Sequence, residues 1–406
     1  MGKRRVLSER IKYGVLILFV SSFYMFNTSA LSGISVIFFA GVLFLIHCFQ
    51  RKGIIQIPRT AFWKMGMAFA FFCISSAVWA KNSAASVSKG VTVAEIVLCM
   101  SIVFLCYLEE NSSRDLLRAI KWSGAVICVY SIYYYGSSKF LAMVLGTLRI
   151  GNDYANANAI GMWAAISVIL YIYFILKEGI YLSDVTIVLP LALVAMSQSR
   201  TALIETVAGV LLIVFFRYRD REHFFKGVLK VFFALCIVLG IIVLLAQMEA
   251  FSGLRERMIS LIDYSQGKQV REGSAIQRSL YIHAGLEQFK KTPLIGIGIG
   301  NTNEITQAVT GHNSYLHNNF VELLASGGII GFSIYYSITG YLLIKLLPYA
   351  MKKDSVSDIC VIVLLVHTLS DYGTVSYYTK NTYYIFATCF LQVYLNQMRG
   401  ACYEPE

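Results

Sequence analysis

Residues 311–332 read GHNSYLHNNFVELLASGGIIGF, a cluster of histidines and asparagines that runs directly into an apolar stretch with paired glycines. The apolar part has the composition of a membrane helix. Polar groups at the boundary of such a helix tend to face a wet cavity, and they usually serve function. The stretch therefore predicts a helical membrane protein with its site where this helix begins.

The composition of the whole chain agrees with a membrane protein. Hydrophobic residues make up 57% of the 406 residues, charged residues only 14%, and the mean hydropathy is +0.63. These values are too apolar for a soluble protein of this length. About twelve runs are long enough to cross a bilayer. They are residues 11–28, 30–49, 61–80, 91–108, 118–135, 155–176, 181–197, 201–216, 226–247, 319–347, 355–371 and 381–398.

The distribution of lysine and arginine predicts the orientation. Basic clusters fall at residues 3–12, 51–59, 114–121, 217–226 and 345–353. Positive loops stay on the cytoplasmic side, so both termini are expected there and the long connection is expected outside. The net charge of +12 then reflects topology and contact with the lipid bilayer, and it does not indicate nucleic-acid binding.

Three regions follow from this topology. Residues 1–247 are expected to form the N-terminal membrane helices, residues 248–318 an extracytoplasmic loop, and residues 319–406 the C-terminal membrane helices. Within the loop, the pattern from Ser274 to Lys290 predicts an amphipathic helix. A loop of this length is usually functional.

The glycine run that follows, Pro293-Leu-Ile-Gly-Ile-Gly-Ile-Gly300, does not have the spacing of a dinucleotide-binding fingerprint. We expect a turn that lets the backbone pack tightly against a helix or a glycan. The nine cysteines lie inside predicted spans, apart from Cys402, so they are expected to be small buried hydrophobic residues. No metal site and no cofactor are expected.

Three segments resemble one family. His317-Asn318, nine further residues and Gly328-Ile-Ile-Gly331 match the signature of the O-antigen ligase and Wzy-type polysaccharide polymerase superfamily. The segment Ser197-Gln-Ser-Arg-Thr-Ala-Leu203 resembles the family's Ser-Arg-Thr/Ala segment, and Arg278 followed by Pro293-Leu-Ile-Gly-Ile-Gly resembles a third. A signature begun from His312 would need glycine where Leu323 stands, so only His317 fits.

The resemblance implies a GT-C-like fold and a metal-independent glycosyltransferase in the bacterial cytoplasmic (inner) membrane. Such enzymes move a glycan from undecaprenyl pyrophosphate to an acceptor hydroxyl on the outer face. This reaction needs a base at the hydroxyl and positive charge on the phosphates. The resemblance implies that Arg200 and Arg278 bind the phosphates. It also implies that His317 acts as the base or orients the acceptor. Alternatively, Arg200 only reaches the interface and Arg278 is only a solvated charge on the loop helix.

Five further residues are candidates for substrate binding. Asn318 stands beside His317, and His312 and Asn313 precede it, where His312 either binds sugar or only shapes the turn. Glu322 either tunes the histidine, pairs with an arginine or caps a helix. Tyr372 belongs to a group of tyrosines that form an interfacial belt or stack on sugar rings.

A polymerase that joins lipid-linked repeat units is the favoured function. An O-antigen ligase, which transfers the finished glycan to a lipid A core or another acceptor, has the same chemistry at the donor and stays open. A transporter of the lipid-linked glycan would need polar groups along both halves of its path, and here the ionisable residues gather on one side. A flippase and a chain-length regulator are the expected protein partners of a polymerase.

Overall fold

The computed structural model describes residues 2–26, 31–51, 60–108, 112–144, 148–151, 155–219 and 273–401, together with the single positions 229, 233 and 259. Every regular element in these residues is helical. The α-helices are α1 Gly2–Met25, α2 Leu31–Arg51, α3 Ala61–Ser75, α4 Ser83–Leu108, α5 Ser113–Tyr135, α6 Ser137–Val144, α7 Ala157–Glu178, α8 Val188–Ser197, α9 Arg200–Arg217, α10 Gly273–Lys291, α11 Asn303–Thr310, α12 Asn319–Met351, α13 Ser355–Ser370 and α14 Lys380–Ala401. Short 3-10 turns cover Ser76–Val78 and Leu182–Ile187.

Among the described residues, six helical segments are long and apolar enough to cross a membrane. They are Leu31–Gln50, Ala61–Val78, Ser83–Leu108, Ser113–Tyr135, Ala157–Glu178 and Asn319–Met351. Shorter apolar helices cover Leu182–Ser197 and Ser355–Ser370. The prediction of a polytopic helical membrane protein is therefore confirmed, whereas the expected number of about twelve spans is supported only for these six. The span expected at 226–247 lies outside the described residues.

The chain divides into two compact units whose segments alternate along the sequence. Unit 1 comprises Met1–Gln56, Leu105–Met258 and Leu346–Val366. Unit 2 comprises Ile57–Phe104, Ile259–Lys345 and His367–Glu406.

In unit 1, helix α7 is the centre of the packing. It is buried along most of its length and packs against α5, α8 and α9. Glycines allow these helices to approach closely, since a Cβ atom at Gly161 would lie 2.3 Å from the Ser197 hydroxyl and one at Gly124 would lie 2.4 Å from the Ser167 hydroxyl. Small residues at helix contacts are the common way of packing membrane helices.

In unit 2, residues 293–300, which we call the glycine segment, lie against a break in α12. The break is at Gly328, where the backbone leaves the helical conformation (φ 62°, ψ −167°). Ile329 N–H donates to Pro293 O at 2.8 Å, and Gly298 N–H donates to Ser326 O at 2.9 Å. Two further bonds join Ile297 N–H to Ala325 O and Ile330 N–H to Leu294 O. The glycine segment therefore satisfies the backbone groups that the break leaves without helical partners.

Only glycine fits at the two points of closest approach. A Cβ atom at Gly328 would lie 2.3 Å from the carbonyl carbon of Leu294, and one at Gly296 would lie 2.4 Å from that of Ser326. Both glycines also have positive φ angles. The expectation that the glycine run lets the backbone pack tightly is confirmed, and its partner is helix α12.

The amphipathic helix expected at Ser274–Lys290 is confirmed as α10, Gly273–Lys291. One face of α10 packs on the first turns of α12, where Tyr281, Leu316, Val321 and Ala325 form a buried cluster. A Cβ atom at Gly285 would lie 2.6 Å from the Val321 side chain, so the two helices are in close contact here.

Substitution of Gly328 by alanine is predicted to lower the free energy of unfolding by more than about 3 kcal/mol, because it adds backbone strain to a steric clash. Gly340→Ala is the matched control in the same helix, since a Cβ there meets nothing within 4 Å. It should leave stability unchanged or raise it by up to about 1 kcal/mol. Thermal unfolding of the purified variants measures both changes in stability. Equal unfolding midpoints for the two variants would contradict the close packing of the glycine segment against the break.

Candidate active site

The loop between α11 and α12 carries His317, and its shape is fixed from both sides. The Thr306 hydroxyl accepts from Ser314 N–H at 3.0 Å and donates to Ser314 O at 2.9 Å. His317 itself has a left-handed backbone (φ 55°). That conformation is uncommon for any residue but glycine and costs of order 1–2 kcal/mol. Such a conformation persists only where its surroundings hold it in place.

Glu322 helps to keep the loop around His317 in its conformation. Its side chain is buried, with 2% of the residue exposed. One carboxylate oxygen accepts from Leu316 N–H at 2.9 Å and the other accepts from the Thr302 hydroxyl. Of the alternatives open from the sequence, the structure shows the carboxylate bonded to the backbone beside His317. Glu322 thus fixes the loop from the first turn of α12.

Asn318 caps helix α12. Its side-chain oxygen accepts from Val321 N–H at 3.0 Å, and its amide nitrogen donates to Tyr372 O at 3.5 Å. The residue is buried. An asparagine in this position satisfies one of the free N–H groups of a helix start, which is a structural role.

The imidazole of His317 lies between two tyrosine rings. The Tyr281 ring is parallel to it with 6.1 Å between centroids, and the Tyr315 ring lies 4.1 Å away. The Nε2 atom lies 3.4 Å from the Ser314 hydroxyl oxygen. Burial, reinforced by the positive charge of Arg278, lowers the pKa of His317 to about 4. The imidazole is therefore neutral at neutral pH and able to accept a proton.

Arg278 is positioned by helix α10. It lies three residues before Tyr281 and seven before Gly285, so all three share one face of the helix. Tyr281 and Gly285 contact the loop and the start of α12. The guanidinium acts electrostatically on both His317 and Tyr315. Arg278 and His317, two of the three catalytic residues predicted from the sequence, are thus brought together in unit 2.

Lys89 is a cation near this site that the sequence did not indicate. It lies in α4, and its ammonium nitrogen sits 3.4 Å from the centre of the Tyr378 ring. Lys89 interacts electrostatically with Glu322, and Tyr378 does so with Tyr315. No local signal links Lys89 to a residue so far along the chain.

A second polar network holds residues 371–377 against the start of α12. Asn319, fully buried, accepts from Ser376 N–H at 3.0 Å, and its own N–H donates to Asp371 O at 2.7 Å. Asp371 accepts from the Tyr336 hydroxyl at 2.8 Å. Burial raises the pKa of Asp371 to about 7, although hydrogen bonds from Ser376, Tyr336 and Asn319 oppose the shift. Sequence reasoning missed Asn319, because its partners lie far along the chain.

Three of the candidate substrate-binding residues lie on the surface. His312 and Asn313 are exposed in the loop that follows Gly311. The Tyr372 side chain is also exposed, at 69%, while its carbonyl receives the bond from Asn318. These side chains are accessible to a ligand that approaches unit 2 from solvent.

Arg200 belongs to unit 1, where it opens helix α9. The turn before it is tight, with Gln198 in a left-handed conformation and Ser199 as the helix cap. A second arginine holds the same turn, since Arg149 Nε donates to Ser197 O at 2.8 Å. Arg149 also donates to the Asn158 side chain at 2.7 Å. The sequence around Arg149, in a short loop, did not indicate that Arg149 holds this turn.

Replacement of Glu322 by leucine tests the support of the loop. It leaves the buried Leu316 N–H and Thr302 hydroxyl without a partner, and each lost partner costs about 1–3 kcal/mol. Glu322→Gln can accept from Leu316 N–H through its amide oxygen and donate its amide N–H to the Thr302 hydroxyl oxygen, so it should cost less. Glu304→Leu, which breaks a surface ion pair with Lys81, should change stability by less than about 0.5 kcal/mol. Equal destabilisation by the two leucine variants in chemical denaturation would contradict the role of Glu322.

A comparison of the sequence with known protein families gives a match, and it covers the candidate site. A family model described as O-antigen ligase matches residues 185–336. No curated protein matches the chain. The matched range contains Arg200, Arg278, the glycine segment, His317 and the break in α12. Residues 185–336 of this chain are therefore similar to the O-antigen ligase family, in the part of the chain that carries the candidate site.

Proposed function

We propose that the protein is a metal-independent glycosyltransferase that moves a glycan from undecaprenyl pyrophosphate to an acceptor hydroxyl at the outer face of the bacterial cytoplasmic membrane. One observation carries the proposal. Within the range that matches the ligase family, a neutral imidazole lies beside a guanidinium in a loop held by buried hydrogen bonds. These are the two groups that the transfer requires.

Positively charged groups of the protein at the pyrophosphate of the donor are the first requirement. Arg278 presents a planar fork that binds two phosphate oxygens at once, which an ammonium cannot do. Lys89 adds a second positive charge on the Glu322 side of the loop. For Arg200, which belongs to unit 1, the phosphate-binding role rests on the resemblance of residues 197–203 alone.

A base for the acceptor is the second requirement. The acceptor hydroxyl oxygen forms the new bond to the anomeric carbon, and the bond from that carbon to the pyrophosphate oxygen breaks. The electron pair of the broken bond leaves with undecaprenyl pyrophosphate. The hydroxyl proton passes to a ring nitrogen of His317, which releases it to solvent before the next cycle.

The charge of the substrate adjusts this base. Without substrate, burial and Arg278 keep the pKa of His317 near 4. A bound pyrophosphate adds negative charge, which favours the protonated imidazole and raises its pKa. His317 then becomes a stronger base only while the donor is present, and its pKa moves closer to the working pH, where general-base catalysis is most effective.

The remaining candidates support these groups. Asn318 and Glu322 position His317 through the backbone of the loop and the start of α12. His312, Asn313 and Tyr372 are exposed and are assigned to the sugars, where the Tyr372 ring can stack on a sugar face. No cofactor enters the proposed reaction. Both termini lie on the cytoplasmic side in this topology, and a flippase and a chain-length regulator are the proposed partners.

A polymerase of lipid-linked repeat units is the proposed activity. An O-antigen ligase, which passes the glycan to a lipid A core or another acceptor, is the second candidate, because its chemistry at the donor is the same and the family match applies to both. A transporter of the lipid-linked glycan is the non-enzyme alternative. It requires neither a base nor a fixed loop around His317.

Purified protein supplied with lipid-linked repeat units alone tests the activity. A polymerase makes a ladder of longer glycans on a gel. Addition of EDTA should leave the ladder unchanged, since no step of the proposed reaction uses a metal. If no ladder forms with the correct repeat unit, but glycan passes to an added lipid A core, the protein is a ligase. Failure of both transfers with folded protein would contradict the glycosyltransferase assignment.

His317→Gly tests the base without straining the loop. Glycine adopts the left-handed backbone without cost, so the variant should fold and lose only the imidazole. We expect transfer to fall by about 10² to 10⁴ and to recover partly when free imidazole is added. His312→Gly, in the same loop, is the control and should fall far less, with no recovery. Wild-type rates for His317→Gly would exclude a base at this position.

A further inference from the structure

A small cavity in unit 1 is lined mainly by cations. It has a volume of about 120 Å³ and lies where α7 and α9 end and α13 begins. Among the described residues, Lys177, Arg217, Arg219 and Lys353 line it, together with one carboxylate, that of Asp358. Four positive groups around one negative group favour an anion.

A neighbouring cavity of about 140 Å³ extends this surface. It shares Tyr173 and Lys177 with the first cavity and adds Arg114 and Glu178 to the lining. Arg114 and Glu178 form a loose ion pair, with 3.9 Å between their charged atoms. Two carboxylates therefore face five cations across both cavities, and the excess of positive charge is concentrated in the first.

Arg219 is the buried cation of the first cavity. Its side chain is only 5% exposed, and its guanidinium lies 3.2 Å from the Asp358 carboxylate. Its Nη1 also donates to Phe216 O. Among the described residues, its Nε has no hydrogen-bond acceptor. Buried donors without partners are rare in folded proteins, so an unused N–H at a cationic cavity indicates a ligand.

Helix-end electrostatics explain only part of the cluster. Lys177 and Arg217 lie in the last turns of α7 and α9, where cations stabilise a helix. Arg217 also donates to Leu176 O at 3.1 Å. This explanation does not require the burial of Arg219 with a spare donor.

Size and location define the chemistry of the ligand. Pockets for drug-sized molecules usually measure about 300–1,000 Å³, so this cavity fits a single phosphate group and not a nucleotide. It lies at the ends of apolar helices. The basic clusters at 114–121, 217–226 and 345–353 are all predicted to be cytoplasmic, and that face of a bilayer carries anionic lipids.

We propose that this cavity, which we call the basic cavity, binds a phosphate group, and that an anionic phospholipid headgroup of the cytoplasmic leaflet supplies it. The phosphate binds through the positive charge of the Arg219 guanidinium, Lys177 and Lys353. The site is independent of the transfer chemistry of unit 2. It makes the stability of unit 1 dependent on anionic lipid.

The test uses the full-length protein in neutral detergent. Water-soluble dihexanoyl phosphatidylglycerol, dihexanoyl phosphatidylcholine and inorganic phosphate are each titrated, and binding is followed by the rise in the unfolding midpoint. Phosphatidylglycerol should stabilise the wild-type protein. The double variant Lys177→Gln with Lys353→Gln removes two exposed cations of the lining, so it should fold normally and bind phosphatidylglycerol on the order of tenfold more weakly.

Lys64→Gln combined with Lys352→Gln is the matched control. It removes the same charge from exposed positions that do not line the cavity, and it should bind as wild type does. Inorganic phosphate that binds as tightly as phosphatidylglycerol would support phosphate recognition but contradict a lipid source. Equal stabilisation by phosphatidylcholine, or equal loss in both double variants, would overturn the basic cavity as a phosphate site. The comparison of the two lipids on wild-type protein decides the question even if a variant fails to fold.

Discussion

The reciprocal backbone bonding between the glycine segment and the break at Gly328 is the constraint on which unit 2 depends. A helix that breaks within a candidate membrane span exposes N–H and C=O groups, and each group left unpaired in lipid costs several kcal/mol. Here the freed groups of Ala325, Ser326 and Ile329 are bonded to residues 293–298. The break is thereby stable only with the glycine segment in place. The segment is held by the break and also by residues before α4, since Trp79 Nε1 donates to Ile295 O and Ile299 N–H donates to the Ser76 hydroxyl.

The consequences reach the site through the first turns of α12. The bonding between the glycine segment and the break fixes the start of α12 relative to α10. Helix α10 places the Tyr281 ring parallel to the His317 ring and brings Arg278 near enough to act electrostatically on His317. Glu322 then bonds to the loop from within the same helix. Loss of one partner from such a buried hydrogen bond costs only about 1–3 kcal/mol. Together these contacts hold His317 in a backbone conformation that it would not adopt alone.

The sequence predicted the features that depend on local pattern. Helix α10, the glycine segment and the apolar helices follow from periodicity and composition. Of the two loop histidines, His317, where the signature begins, is half-buried, and His312 is exposed. The sequence did not predict Lys89, Asn319 or the bond from Glu322 to Leu316, because these depend on which distant segments meet. It also indicated about twelve spans, and six of them correspond to described helices that are long and apolar enough to cross a membrane. The expected spans that include α8 and α13 correspond to shorter apolar helices.

The central claim is that a neutral, half-buried imidazole at His317 is the base, and the pH dependence of kcat/KM tests it most directly because that parameter reports ionisations of the free enzyme. The account predicts that kcat/KM stays level from neutral pH down to about pH 5.5 and falls to half near pH 4, with the acid limb of kcat at higher pH because bound pyrophosphate raises the pKa. An acid limb of kcat/KM centred near pH 6.5, the value of an ordinary exposed histidine, would contradict it.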